Sequence, residues 1–275
     1  MADALEKAIV GWMSKLEKID KPCPECGGRL LRPKVLNKKT GQKMAAACID
    51  CGYKEPIENY KTPTAEQLTL QSRKNHAIGY LQRNSIVSNT SIFNLNFKNY
   101  RHDSAAWAKA YSFAKGVANQ LVQGKVIHAL FIGNSGRGKS HLAMGILYDV
   151  LQRTDYGKNV AFVDWRELID TIKTGMHDDK RDVQAYADAI MAELKAADII
   201  VLDDLGSERD TQFNKDVCDR FWRQREDKTV ITTTNLTGGE LQAAYGDRTM
   251  SRMANHSKGN SYAMQGIPDY RKSEH

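Results

Sequence analysis

The stretch "GNSGRGKS", residues 133–140, lies between the apolar run "VIHALFI" (126–132) and the longer amphipathic segment "HLAMGILYDVL" (141–151). Gly-x-x-x-x-Gly-Lys-Ser placed after a strand and before a helix is the arrangement in which backbone N–H groups wrap phosphate oxygens. Glycines let the chain turn tightly, and the positive end of the following helix faces the anion. Gly133, Asn134, Ser135, Gly136, Arg137 and Gly138 are therefore expected to cradle the phosphates of ATP. Lys139 is expected to reach the β- and γ-phosphates and Ser140 to ligate Mg²⁺.

A phosphate-bound metal needs a second anchor, a carboxylate at the end of a neighbouring strand, and "IIVLDD" (199–204) supplies it. Asp203 is expected to hold Mg²⁺ directly or through water. Asp204 is the candidate for orienting or deprotonating the attacking water, against the plainer reading that it caps the strand. A further strand, "VITTTN" (230–235), ends in Asn235, which a parallel sheet brings out beside the metal-binding strand. There an amide can hold the attacking water and sense the γ-phosphate. Thr234 is the alternative for that role, and a turn-forming asparagine is the plainer reading.

Around these motifs the pattern alternates. Helix-like segments cover 104–122, 140–152, roughly 166–196 and about 211–226, with two short ones at 238–246 and 247–255. Strand-like runs cover 126–132, 159–165, 198–204 and 229–235. Strands separated by helices imply an α/β fold with a parallel sheet covered on both faces. Upstream, "DALEKAIVGWMSKLEKI" (3–19) has helical spacing, with Trp12 and Met13 on offer to a partner or a neighbouring domain. The polar stretch 62–91, helical in its middle, reads as a connector.

With 275 residues, 41% hydrophobic and 27% charged, the chain has room for one sizeable core and a smaller unit. It carries no run of about 20 apolar residues and no signal-like start, so the expected location is the cytoplasm and no membrane partner is expected. A net charge of +7 suits a polyanionic partner, or solubility alone.

Four of the five cysteines crowd the first fifth of the chain, as Cys23-x-x-Cys26 and Cys48-x-x-Cys51. In a reducing compartment such clustering points to metal, and four thiolates without histidine make a closed, structural Zn²⁺ site. A redox pair or an iron–sulfur cluster is the competing reading. Each pair is followed by glycine, which lets amides turn toward the sulfurs. Between the pairs lie Arg29, Arg32, Lys34, Lys38, Lys39 and Lys43 and no acid. That is a basic hairpin suited to DNA phosphates, to an acidic protein surface, or merely to solvent. Cys218 stands alone and reads as a buried small apolar residue.

In order and spacing, "GNSGRGKSHLAMGIL", "IIVLDDLG", "TVITTTNL", "YGDRTMSRM" and the terminal "IPDYR" resemble the DnaC/DnaI helicase loaders, a branch of the AAA+ ATPases that also includes IstB-like transposition helpers. The resemblance covers roughly 91–275, and "SIFNLNFKNY" (91–100) is similar to that family's lead-in segment beside the adenine. It implies an AAA+ P-loop domain over 91–275, a linker over 61–90, and a zinc-ribbon-like N-terminal module over 1–60. It further implies that Arg252 is an arginine finger reaching the ATP site of an adjacent subunit, with Arg248 a close competitor. Arg271 takes the place of the arginine that reads the nucleotide from its own subunit. The function implied is ATP-dependent loading of the hexameric replicative DNA helicase onto single-stranded DNA, with self-association through the AAA+ domains and hydrolysis used as a switch. Competing readings are an IstB-like helper of DNA transposition and a zinc-ribbon nucleic-acid-binding regulator with weak ATPase.

Overall fold

A computed structural model of the chain describes residue 11 and residues 13–38, 41–56, 63–101, 103–177 and 181–269, with only the backbone for 175–177 and 181–188. The chain forms two compact units, Met1–Thr64 and Ala65–His275.

In the first unit, β1 (Leu16–Pro22), β2 (Arg29–Pro33) and β3 (Ala47–Cys48) form an antiparallel sheet in that order. This corrects the helix expected over 3–19, which is strand from Leu16 onward; much of its earlier part, with Trp12, lies outside the described residues. Pairing overrides local helical spacing here. Glu17 lies opposite Arg32 and bonds both Arg32 and, at 3.0 Å, Lys43. Ile19 packs on a small core of Cys23, Leu30, Ala46 and Cys48. Beyond β2 the chain turns back, with Leu36 bridging Lys43. The basic hairpin is thus present, but Glu17 engages two of its cations and Lys34 donates to the Ser14 carbonyl at 2.7 Å. Lys39 lies outside the described residues.

The second unit begins with α1 (Ala65–Asn84) and a 3-10 turn (Thr90–Asn94), followed by α2 (Ala105–Val122), β4 (His128–Ile132) and α3 (Lys139–Arg153). Next come β5 (Val160–Asp164), α4 (Trp165–His177), α5 (Arg181–Ala196), β6 (Ile199–Leu205) and α6 (Gln212–Gln224). The unit closes with β7 (Thr229–Thr234), α7 (Gly238–Ala254) and β8 (Ser261–Ala263). The five strands run parallel in the order β5-β6-β7-β4-β8.

Strand residues alternate between two cores, as a period of two requires. Val160, Phe162, Ile199, Val201 and Ile231 join the core built with α2 and α3. Ala161, Val163, Ile200, Leu202 and Val230 join the core on the other face with Trp165, Phe221 and Trp222. Cys218 is fully buried in that second core, and burial raises its thiol pKa.

Two segments differ from expectation. From Ala65 onward the expected linker is part of the second unit, because α1 buries Ala77, Tyr80 and Leu81 and the chain after it lies along the sheet edge. There the Ile86 amide donates to Phe162 O at 2.9 Å and the Asp164 amide to Ile86 O at 2.8 Å. The edge strand β8 is the other: three residues, "SYA", too short to carry a pattern. The two short helices expected at 238–246 and 247–255 are present and meet at a kink at Gly246 (φ 76°, ψ 167°), the first opened by a capping box between Thr237 and Glu240.

Candidate functional site

The phosphate loop joins β4 to α3 at the carboxyl end of the sheet, where ligands bind in open α/β folds. Gly138 caps α3 at φ 83°, and a Cβ there would stand 3.0 Å from Tyr100 and 3.3 Å from Trp107, so only glycine meets both demands. Lys139, 4% exposed, donates to Gly133 O (2.6 Å), Asn134 O (3.0 Å) and Asn235 Oδ1 (2.7 Å). The ammonium and the amide named from separate motifs thus meet.

β6 brings Asp203 to the same end. Its carboxylate accepts from Thr233 Oγ1 at 2.6 Å and from the Ser140 hydroxyl. Burial first, then the neighbouring Asp204 charge, pushes its pKa up to about 7, against the lowering effect of those hydrogen bonds. In a regular strand Asp203 and Asp204 would face opposite ways. A register slip between Leu202 and Leu205, with Asp204 at φ 52°, re-aims the chain. Asp204 then lines a cavity of about 230 Å³ with residues 135–141 of the phosphate loop and helix start, and with Leu95, Tyr100, Arg101 and Trp107.

Thr233, which sequence reading passed over, serves both acids: its hydroxyl donates to Asp203 and accepts from the Asp204 amide at 2.9 Å. Thr234 is not free to stand in for Asn235, since its hydroxyl donates to Leu205 O (2.6 Å) and accepts from the Leu236 amide (3.0 Å). The ring wall of Tyr100 and Trp107, 5.5 Å apart, was also missed at the level of residues. The segment after β8 lies against the loop as well. Arg137 donates to Met264 O at 2.6 Å, and a Cβ on Gly136 would fall 2.0 Å from an Asp269 carboxylate oxygen.

The arginines stand elsewhere. Arg252, in the last turn of α7, pairs with Asp219 of α6, while Arg248 is exposed and makes no ion pair among the described residues. Neither lines the phosphate-loop cavity. Arg271 lies outside the described residues.

In the first unit the four sulfurs of Cys23, Cys26, Cys48 and Cys51 all lie within 4.8 Å of one another. The Cys23–Cys51 and Cys26–Cys48 pairs are 3.5 Å apart, close to the roughly 3.8 Å between thiolates bound tetrahedrally to zinc. The two pairs repeat one geometry. Cys23 N donates to Gly28 O (2.8 Å) and Gly27 N to Cys23 O (2.9 Å); Cys48 N donates to Tyr53 O (2.7 Å) and Gly52 N to Cys48 O (3.1 Å). Gly27 (φ 72°) and Gly52 (φ 79°) make the left-handed turns. Burial raises the Cys23 pKa, but amide donors at Cys26 and Glu25, together with the thiols of Cys51 and Cys26, outweigh it and bring the value down to about 7. A Gly28 amide likewise serves Cys26 and a Tyr53 amide Cys51, although the neighbouring thiols drive Cys26 up to about 12. Close-set sulfurs with amide donors fit one thiolate-loving cation, which would relieve that mutual repulsion.

The family described as IstB-like ATP binding protein matches residues 100–256, more than half of the chain. The replicative helicase loader DnaC of Escherichia coli K12 is 26% identical over 164 residues, 58% of this chain and 63% of that protein. The chain therefore spans less than two thirds of the length of the curated relatives it matches. The crystal structure of the DnaC helicase loader shares 22% identity at a TM-score of 0.53, covering 64% of this chain and 99% of that one. The crystal structure of DnaI shares 21% at 0.54, covering 68% and 96%. At such identities the structural likeness carries the fold, which is that of an AAA+ domain. Given that fold and the matched residues 100–256, the chain belongs to the family of IstB-like ATP-binding proteins.

Proposed function

We propose that the chain is an ATP-dependent loader of the hexameric replicative DNA helicase onto single-stranded DNA. The observation that carries the ATPase half is the meeting of Lys139, Asn235, Asp203 and Ser140 at one end of the sheet. The loader half rests on the likeness to DnaC. Bound ATP with Mg²⁺ supplies the phosphoanhydride whose cleavage the site times.

In this reading the amides of 134–139 hold the phosphates, and Lys139 exchanges its carbonyl partners for phosphate oxygens, releasing the Asn235 amide to orient the attacking water. Asp203 and Ser140 would hold Mg²⁺, whose charge would favour the ionised form of the buried carboxylate. Asp204 takes the proton from water. Its reach is shorter than a glutamate's, which suits a switch that turns over slowly. Arg252, kept in line by Asp219, is offered to the next subunit, so hydrolysis waits for assembly. Arg271 reads the nucleotide from its own subunit. Cys23, Cys26, Cys48 and Cys51 would hold Zn²⁺, and the N-terminal module over 1–60 docks on the helicase through what remains of its basic face, Arg29 and Lys38. No helix among the described residues is long and apolar enough to cross a membrane, and the cytoplasm is where such a loader works.

Co-purification with the replicative helicase tests the reading. The chain should retain helicase with ATP, and Lys139→Ala should lose the nucleotide dependence; failure of the unaltered chain to bind helicase under ATP would sink it. The matching family description also favours a second reading, an IstB-like transposition helper. ATP-dependent assembly on duplex DNA without helicase binding would favour that one.

A further inference from the structure

The second unit has a cavity larger than that at the phosphate loop, about 680 Å³ against 230 Å³. The groove lies between α1, the 3-10 turn and the segment after it, α2 and α3, and it shares no lining residue with the phosphate-loop cavity. Its walls are rings, among them Phe93, Tyr111, Tyr148 and Tyr156, and its cations are Lys74, Lys98 and Lys115. The acid that lines it, Asp149, is neutralised by Lys115 at 2.7 Å and Arg153 at 3.1 Å. Lys74 and Lys98 are exposed.

We propose that this groove binds single-stranded nucleic acid, with unpaired bases stacking on Tyr148 and Tyr156 and backbone phosphates held by Lys74 and Lys98. Aromatic platforms beside cations are what a single strand needs, because every base has a face to stack and every phosphate a charge to meet. A duplex keeps those faces covered. An acidic peptide would meet the lysines but leave the rings without partners.

The local backbone supports a built platform. After α3 two successive side-chain-bearing residues, Asp155 (φ 49°) and Tyr156 (φ 58°), adopt the left-handed conformation that favours glycine. The half-buried Tyr156 ring then stands against the groove with Lys74 Nζ 5.9 Å from its centroid. The groove also touches the nucleotide site through rings: Phe97 meets Tyr111 at 5.3 Å, and Tyr111 stacks at 6.1 Å on Tyr100, which lines the phosphate-loop cavity. A strand in the groove and a nucleotide in the loop therefore lean on one aromatic stack, and each should alter the affinity for the other equally.

The proposal deepens the loader reading by giving the strand a seat of its own, and its test is separable from that reading. A fluorescent oligo-dT carrying 5-bromodeoxyuridine is titrated into the full chain, cross-linked and mapped. Cross-links at Phe93, Tyr148 or Tyr156 are expected. Tyr156→Ala should weaken binding about fivefold or more, and Tyr156→Phe, which keeps the ring, should not. Lys74→Ala with Lys98→Ala should lower the slope of log affinity against log salt by about 0.7 for each phosphate left without its lysine. Displacement by oligo-rU as readily as by oligo-dT supports the shared stacking chemistry, and preference for either identifies the strand; displacement by duplex at equal concentration overturns it. Fluorescent nucleotide binding monitors folding of each variant. If nucleotide binding holds while Tyr156→Ala and the double lysine variant bind oligo-dT within about twofold of the unaltered chain, the groove is not the site. Binding at the groove by a chain that never holds helicase would end the loader reading and support this one.

Discussion

Asp269 places a negative charge against Gly136, in the loop expected to hold phosphates. Two anions near one loop repel, and at a partly screened site such a charge is worth about 1 kcal/mol. Asp269→Asn should therefore tighten nucleotide binding roughly fivefold in equilibrium titration. Looser or equal binding would show that the carboxylate helps to hold the loop. His128 makes a different kind of prediction. Its ring nitrogens face the carbonyls of Arg252 (3.1 Å) and Lys228 (3.2 Å), the Arg225 carbonyl also bears on it, and the titratable side chain beside it is His256. Burial foremost lowers its pKa below the ordinary 6.5, against the raising effect of the carbonyls. The unfolded chain then binds a proton that the folded one resists, so stability falls as pH drops through 6.5 and recovers above it. His128→Asn should remove that part of the acid destabilisation. Parallel denaturant melts at pH 7.5 and 5.5 would show it, and equal losses in both proteins would exclude the histidine as its source.

At the scale of elements, α7 is two levers joined at Gly246. The first is tied to the loop after Asp204, because Tyr245 donates to Glu208, whose other oxygen accepts from the Gly206 amide at 3.1 Å. The second carries Arg248 and Arg252. Gly246→Ala puts a Cβ on a backbone (φ 76°, ψ 167°) that is essentially glycine's alone, costing about 1–3 kcal/mol or straightening the helix. Nucleotide binding should survive, while hydrolysis that depends on assembly should fall; an unchanged ATPase rate at high protein concentration would refute the lever. The strand-then-loop-then-helix core of this unit was legible because long apolar runs are flanked by glycine and by well-spaced polar residues, as at 126–151. β1 was not, because Leu16 and Ile19 have the i, i+3 spacing of a helix face rather than a strand's period of two, and only the presence of Arg32 across the ladder decides. α1 read as a connector since it buries just three of its twenty residues. At the site, Lys139, Asp203 and Asn235 were legible from motif spacing. Thr233 and the Tyr100–Trp107 wall were not, because their roles depend on a bulge and on a close approach at Gly138 that no local pattern encodes.

For the molecule as a whole, the two units should respond differently to loss of metal. Among its described residues the first has four buried in its core, two of them cysteines, little apolar surface to fold on without a cross-link. Chelation should release one zinc per chain and expose residues 11–56 to protease, while nucleotide binding by the second unit stays within error. Retention of protease resistance after verified zinc loss would mean that the strands hold themselves. The sheet of the second unit has a further consequence, for inheritance rather than for chemistry. Because neighbouring residues of one strand serve opposite cores, Val201 should drift in step with α2 and α3, and Ile200 and Leu202 in step with α4 and α6. Descendants of this sequence should show two sets of compensating changes interleaved residue by residue along β6, ending at the bulge that presents Asp203 and Asp204.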